Sequence, residues 1–478
     1  MTVRRSRIVA ADVRDDLAVA LDALRASLEL PTGFPADVLA EATDAAATVP
    51  VDPAAAGLAD LRDLELLTID PAGSTDLDQA LHLERTAAGA VLHYAIADVP
   101  AFVAPGGALD AEARRRGQTL YAPDGRIPLH PPILSEDAAS LLPERDRRAY
   151  VWRFVLDEGA RPIETTLVRA VVRSRAQWSY EDAQRAIDDG TAPGSLAAMP
   201  WFGAARAERE RERGGASLNL PETRVVAEAD GYRLERSEGV PLEEWNAHVS
   251  LMTGMAAAQI MLDGGIGILR TMPPASPDDV AEFRARTIAL DLPWRLDVPY
   301  GEYLRTLPHT LAARAVREYA GGLFRGAGYE VFDGAPPAAP LQAAIGAPYA
   351  HTTAPLRRLV DRWSLVICEA LANGRAVPEW ARQSLPEVPK LMGASAQRAS
   401  RLDAGALDRV EAAVLHGREG EEFTGVVLRA KGDTARVQLV RPPVEATVTG
   451  LTVDPGTAVR LRLVSAAIAD GALEFAPV

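Results

Sequence analysis

The stretch Leu66–Leu83, LLTIDPAGSTDLDQALHL, holds Asp70, Asp76 and Asp78 within nine residues, between two apolar runs. Leu66–Ile69 reads as a short buried strand and Pro71-Ala72-Gly73-Ser74 as a turn. Asp76 and Asp78 are two residues apart, so in extended chain they face the same side, and the turn folds Asp70 back towards them. Carboxylates held that close raise one another's pKa values unless a cation compensates. Oxygen donors of this kind suit Mg²⁺ or Mn²⁺, which take their remaining ligands from water and substrate phosphate. By residue type alone, the same aspartates also fit a solvated loop after a turn.

A second loaded stretch is Tyr349–Arg362, YAHTTAPLRRLVDR. Pro355 fits the first turn of a helix with Thr353 near its cap, which offers free N–H groups and the positive end of a dipole to a phosphate oxygen. Arg357 and Arg358 add forked donors matching phosphate geometry, or form a surface ion pair with a neighbouring carboxylate.

Other elements must hold these stretches. Val91–Val103 reads as a strand that then turns, and Tyr150–Leu156 and Thr165–Arg173 alternate as antiparallel strands should. Asp98 either orients a metal ligand or a water, or caps the turn before Pro100. Leu109–Tyr121 reads as a short helix ending at Gly117, its Arg114–Arg116 run in part a solvated face. Tyr180–Gln259 holds helices and a hairpin, and the Met and Trp residues of Leu242–Gln259 lie at core spacing. Asp278–Asp291 and Tyr303–Tyr319 read as helices, and Ala396–His416 as a last long helix after breaks at Pro378, Pro386 and Pro389. The N-terminal 55 residues form a helical region, with Asp12–Leu30 capped by Asp12 and a second helix over Pro35–Ala47. Glu422–Val478 alternates between turns as a small β-barrel does, with Phe423 and Phe475 as its only aromatics.

At 478 residues the chain is long enough for roughly two or three domains, and 48% apolar with 24% charged residues is ordinary globular composition. No apolar run approaches membrane-spanning length. The N-terminus has no apolar core behind its arginines, so no signal peptide is expected. Cys368 is the single cysteine, which excludes an internal disulfide and makes the cytoplasm the default location. A net charge of −15 argues at face value against a nucleic-acid partner. It is a global sum, however, and a basic channel can lie inside an acidic shell.

The first stretch resembles the catalytic motif of the ribonuclease II (RNB) family of 3′→5′ exoribonucleases, in which T-I-D and a turn precede D-x-D-D-A-L. Asp70, Asp76 and Asp78 fall on the first three family aspartates, and Gln79 stands at the fourth. Its carbonyl can still ligate a metal, with one negative charge fewer. VLHYAIADVPAFV, LDAEARRRGQTLY and YAHTTAPLRRLVD are similar to further family motifs. On that resemblance Arg357 is the catalytic arginine and Tyr121 packs against nucleotides near the 3′ end. Arg358, His351 and Thr353 lie on the substrate side, and a carboxylate contacting the nucleotide backbone aligns loosely with Asp403. The fold implied is α+β: an RNB-type catalytic domain of mixed sheet and helices over 56–415, an N-terminal helical region over 1–55, and a C-terminal OB-fold β-barrel over 418–478. Family members often begin with cold-shock-type barrels, from which this N-terminus departs. The activity implied is Mg²⁺- or Mn²⁺-dependent hydrolysis of single-stranded RNA to nucleoside 5′-monophosphates by a monomer. The alternative is a catalytically weakened RNA-binding protein of the same fold, motivated by Gln79, the acidic charge and the barrel's few aromatics.

Overall fold

Between residues 66 and 179, apolar runs, some continuous and some alternating, build five strands and a short hairpin. These are β1 (Leu66–Asp70), β2 (Gln79–Thr86), β3 (Gly89–Ala97), the hairpin of β4 (Leu120–Ala122) and β5 (Gly125–Ile127), β6 (Asp146–Leu156) and β7 (Pro162–Ser179). The computed structural model describes residues 7–8, 11–216, 222–228, 231–237, 239–308 and 310–478. Its central feature depends on the length of β7, 18 residues or roughly 60 Å. Residues 162–173 of that strand pair antiparallel with β6, and residues 174–179 run parallel to β1. The order β7-β1-β2-β3-β6 therefore returns to β7, and the sheet closes into a ring.

Large side chains pack between one face of the ring and the helices beside it. Tyr94, Trp152 and Phe154 are at most 1% exposed, and each such burial contributes roughly 1.5–3 kcal/mol. Trp152 and Phe154 are two residues apart on β6, so they share a face and stack. Helix α1 (Ala11–Ser27) lies away from the ring, and beside the ring are α2 (Ala36–Thr48), α3 (Ala108–Arg116), α4 (Gly194–Glu212), α5 (Pro241–Gly264), α6 (Leu359–Ala372) and α7 (Val388–Leu415). Val249 and Met252 of α5 and Trp363 and Leu365 of α6 complete the largest core, as the spacing in Leu242–Gln259 predicts. Cys368 is buried there too.

The two N-terminal helices pack into two different cores. Leu17, Leu21 and Leu24 of α1 share a core with Leu402 and Val410 of α7 and with the C-terminal barrel. Val38 and Ala42 of α2 pack instead with Leu66, Ala95 and Val99 at the ring. Asp12 lies inside α1, one residue past its start, and so does not precede the helix as a cap must. The barrel strands β8 (Glu422–Lys431), β9 (Thr434–Leu439), β10 (Glu445–Thr449), β11 (Ala458–Ala467) and β12 (Ala472–Pro477) take the order β10-β9-β8-β11-β12, with β10 against β12. Phe423 and Phe475 are buried against each other inside it, so neither offers a stacking platform.

Two helix boundaries differ from the sequence reading. Tyr303–Tyr319 is two helices, Tyr300–Thr306 and Leu311–Ala320, because Pro308 disfavours helical backbone at the residue before it. The last long helix starts at Val388: Pro389 occupies its first turn, where the missing N–H costs nothing, and does not break it. No described helix is long and apolar enough to cross a membrane.

Charge is handled internally. Asp98 neither caps the turn by its side chain nor contacts the aspartate cluster; it is fully buried between Arg148 at 3.2 Å and Arg169 at 2.6 Å, on β6 and β7. Arg114, Arg115 and Arg116 bind Asp110, Glu112 and Glu387, so the α3 run offers no free cation to RNA. Removing a partner from a buried ion network strands the opposite charge. Asp98→Ala is expected to lose about 3–5 kcal/mol of unfolding free energy in urea, and a loss below about 1 kcal/mol would assign the trio the weight of a surface pair. Glu411 of α7 is buried against the barrel, accepts the Glu445 N–H at 3.0 Å, and is raised by burial to about 8. A carboxyl raised on folding is protonated in the native state while the unfolded chain ionises, so stability falls as pH rises from about 4.5 to about 8. Glu411→Gln should flatten that fall by a few kcal/mol, read from urea midpoints across the same range.

Candidate active site

The ring sets Asp70 and Asp78. Leu67 of β1 lies opposite Leu81 of β2, and continuing that register places Asp70 opposite Asp78. Asp70 ends β1 at the rim, beside Ser179, which caps the next helix by accepting the Asp182 N–H. One oxygen of Asp70, Oδ2, is buried with no hydrogen-bond partner. Burial first, then Asp76, raise its carboxyl to about 7 against the pull of Arg357. Asp78 is 3% exposed, and burial lifts its carboxyl well above the usual range although Arg357 and a backbone N–H oppose the shift.

The second loaded stretch meets Asp78 directly. Leu356 N–H donates to Asp78 Oδ1 at 2.7 Å, and Arg357 Nε stands 3.6 Å from Asp78 Oδ2. The helix begins at Leu359, later than Pro355 suggests, and residues 354–357 form a turn. Their N–H groups are already used: Ala354 donates to Asp361 and Leu356 to Asp78. A phosphate therefore finds the Arg357 guanidinium here and not a free helix end. Arg357 is the cation of the pair with room to act, its side chain 45% exposed.

Arg358 does not offer its fork to a ligand. Its Nε and Nη2 bind both oxygens of Asp361 at 3.0 and 2.9 Å. Burial without a carboxylate would have been costly, and the i,i+3 spacing supplied one. His351 is likewise internal: its Nδ1 meets the Tyr329 hydroxyl at 2.6 Å, and burial holds the ring well below its ordinary pKa. Thr353 is buried, and its carbonyl accepts the amide of Gln79. These three residues shape the loop that carries Arg357. Asp403 is exposed on α7.

Gln79 begins β2 next to Asp78, and its Nε2 is committed to Thr353, which ties the strand to the loop. Asp76 departs from the expected three-carboxylate cluster. It is ion-paired with Arg126 of β5, which also reaches Glu136 at 2.8 Å and Thr75 Oγ1 at 2.8 Å. Among the described residues no three His, Cys, Asp or Glu side chains are grouped to hold a metal ion. The guanidinium of Arg126 supplies to Asp76 the compensation that close carboxylates require. Arg126 carried no sequence signal, because only the β4–β5 hairpin brings it to Asp76. Asp361 did carry one in its spacing from Arg358.

Tyr121 sits on β4 opposite Arg126 and is 49% exposed. Burial of its hydroxyl pushes the phenol up to about 12, with Asp76 and Asp78 raising it and Arg357 and Arg126 lowering it. The ring thus stands at the rim of the carboxylate site with surface to offer a base. The donors fit a hard divalent cation in one respect: Asp70 keeps a buried oxygen without a hydrogen-bond partner.

A family model described as the RNB domain matches residues 58–371, and one described as the RNase II-type exonuclease C-terminal S1 domain matches residues 421–478. The exosome complex exonuclease RRP44 of Homo sapiens is 29% identical over 331 residues, which are 63% of this chain and 33% of that protein. Ribonuclease R of Acidithiobacillus ferrooxidans is 39% identical over 153 residues, 32% of this chain and 35% of that one. The matches thus span about a third of the length of these curated relatives. Mycoplasma genitalium RNase R in complex with ribose methylated single-stranded RNA has the same fold, with a TM-score of 0.86 at 17% identity over 97% of this chain and 78% of that one. Yeast Ssd1, a pseudonuclease, aligns with a TM-score of 0.69 at 16% identity over 82% of this chain and 50% of that one. Since the first model accounts for more than half of its length, the chain belongs to the RNB family.

Proposed function

We propose that this protein is a hydrolytic 3′→5′ exoribonuclease that removes nucleoside 5′-monophosphates from single-stranded RNA. The observation that carries the reading is the placement of Arg357, 3.6 Å from buried Asp78, which the β1–β2 register sets opposite Asp70. A cation beside carboxylates that burial has made costly to ionise is suited to a ligand that brings both phosphate and metal.

On this reading the 3′ end enters past Tyr121, whose ring stacks on a base and holds the terminal nucleotide. A water oxygen adds to phosphorus, the P–O3′ bond breaks, and the leaving 3′-oxygen takes a proton. Arg357 donates to the non-bridging oxygens as negative charge grows on them. Asp70 and Asp78, with Asp76 once it releases Arg126, would hold Mg²⁺ or Mn²⁺; such an ion, when bound, activates water and stabilises the leaving oxygen. Arg358, Asp361, His351 and Gln79 keep the Arg357 loop in place.

One observation favours a second reading, an RNA-binding protein of this fold with weakened catalysis: Gln79 stands at the family's fourth aspartate, and its amide is engaged with Thr353. Incubating 5′-labelled single-stranded RNA with and without Mg²⁺ separates the two. The proposed enzyme yields a ladder shortened from the 3′ end only with metal, whereas RNA bound but left intact would favour the second reading. Asp78→Asn is expected to lower turnover by orders of magnitude with RNA affinity nearly unchanged, and Arg357→Ala to lower it about 10²–10³-fold. Wild-type turnover in Asp78→Asn would remove Asp78 from the chemistry.

The engagement of Gln79 also reverses a simple expectation. Restoring the family carboxylate puts an acceptor against the Thr353 carbonyl and loses the tie to the loop. Gln79→Asp should therefore lose activity at every Mg²⁺ concentration and speed hydrogen exchange at the Leu356 amide. A lowered Mg²⁺ requirement in that variant would show instead that position 79 acts on the metal.

A further inference from the structure

Away from the carboxylate site, α4, α5 and the turn between β6 and β7 line an open cavity of about 560 Å³. Its wall on α4 is cationic and its floor on α5 is apolar. Arg206 is 4% exposed; its Nη1 donates to the Ala160 carbonyl at 3.0 Å, and no described carboxylate pairs with it. Its Nε is buried without an acceptor, and so is the Nε of Arg209, one helical turn on and lining the same space. Arg213 donates its Nε to the Ile345 carbonyl, and Glu212 is the cavity's single acid, shared by Arg161 at 3.1 Å and Arg209 at 2.7 Å. Four guanidinium groups thus face one carboxylate.

A buried cation without a counter-charge is costly, and proteins keep one chiefly where something pairs with it. Burial and the neighbouring Arg213 and Arg209 hold Arg206 down to about 10, the direction an uncompensated cation takes. Opposite the arginines, Met252, Met255 and Ile260 of α5 present side chains that adapt to an apolar shape. The cavity is therefore two-sided, with guanidinium groups on one wall and thioether and aliphatic surface on the other.

We propose that this cavity binds a small organic anion, its phosphate or carboxylate head held by Arg206 and Arg209 and its apolar body lying on Met252, Met255 and Ile260. The head lies against the two guanidinium groups and compensates Arg206, and the body displaces water from the floor. The site is separate from the aspartates of the proposed reaction, so its occupancy is measurable in full-length protein without RNA.

Calorimetry and thermal melting with adenosine 5′-monophosphate, decanoate and inorganic phosphate test it. At least one organic anion is expected to bind and raise the melting temperature. Arg206→Met and Met255→Trp, the first removing the charge and the second filling the floor, should each weaken that binding roughly tenfold or more. Preference for the nucleotide identifies a phosphate head, and preference for decanoate a carboxylate on a chain; either supports the site. Inorganic phosphate binding as tightly as both organic probes would overturn the role of the floor. No binding by any probe, or binding unaffected by both substitutions, would overturn the proposal. Cleavage of RNA by both variants should match wild type, so a failure here leaves the exoribonuclease reading standing.

Discussion

The bond from the Leu356 N–H to buried Asp78 joins the two halves of the candidate site. One end belongs to the strand ring and the other to a loop almost 280 residues further along the chain. Everything that loop offers is referred to this contact. Arg357 follows Leu356 by one residue, so its guanidinium is delivered to the carboxylates by the same turn. Charge-assisted bonds to a buried carboxylate are stronger than neutral ones, and burial also makes the alternative, an unpaired Asp78, costly. The Gln79 amide on Thr353 and the Arg358–Asp361 fork brace the same loop from its two ends.

Most charge in this site is structural. Arg126 neutralises Asp76, Asp361 neutralises Arg358, and Arg148 and Arg169 together hold Asp98. Arg357 differs because its side chain remains nearly half exposed while it leans on Asp78. The same residue type therefore does two jobs, and what separates them is whether a carboxylate already fills the fork. A net charge of −15 says nothing about this. The field that a ligand meets is set locally, by which acids are paired and which are not.

The departures outside the site follow similar logic. The N-terminal helices differ from the cold-shock barrels with which family members often begin, and each contributes to a core built mainly by other segments. The C-terminal barrel buries both of its phenylalanines, so its outer face lacks the aromatic platforms through which such folds hold single strands. The barrel is joined to the rest of the chain through α7, whose apolar face reaches both α1 and the barrel core.

The sequence by itself determined most of the strands and helices, the existence of two chemically loaded stretches and the family they resemble. Those properties are local: an apolar run marks β1, alternation marks β6 and β7, and a motif is read along one segment. Tyr121 and Arg357, which the resemblance singles out, both keep exposed surface. The tertiary structure alone decided that Arg358 is internal, that Asp98 clamps two arginines and that Gln79 faces a carbonyl. It likewise paired Asp76 with Arg126 and left Arg206 without a carboxylate among the described residues. The partners in these contacts lie mostly tens to hundreds of residues apart. Whether an acid is free or paired depends on which distant side chain the closed ring and its loops bring within about 3 Å, and no periodicity along the chain encodes that distance.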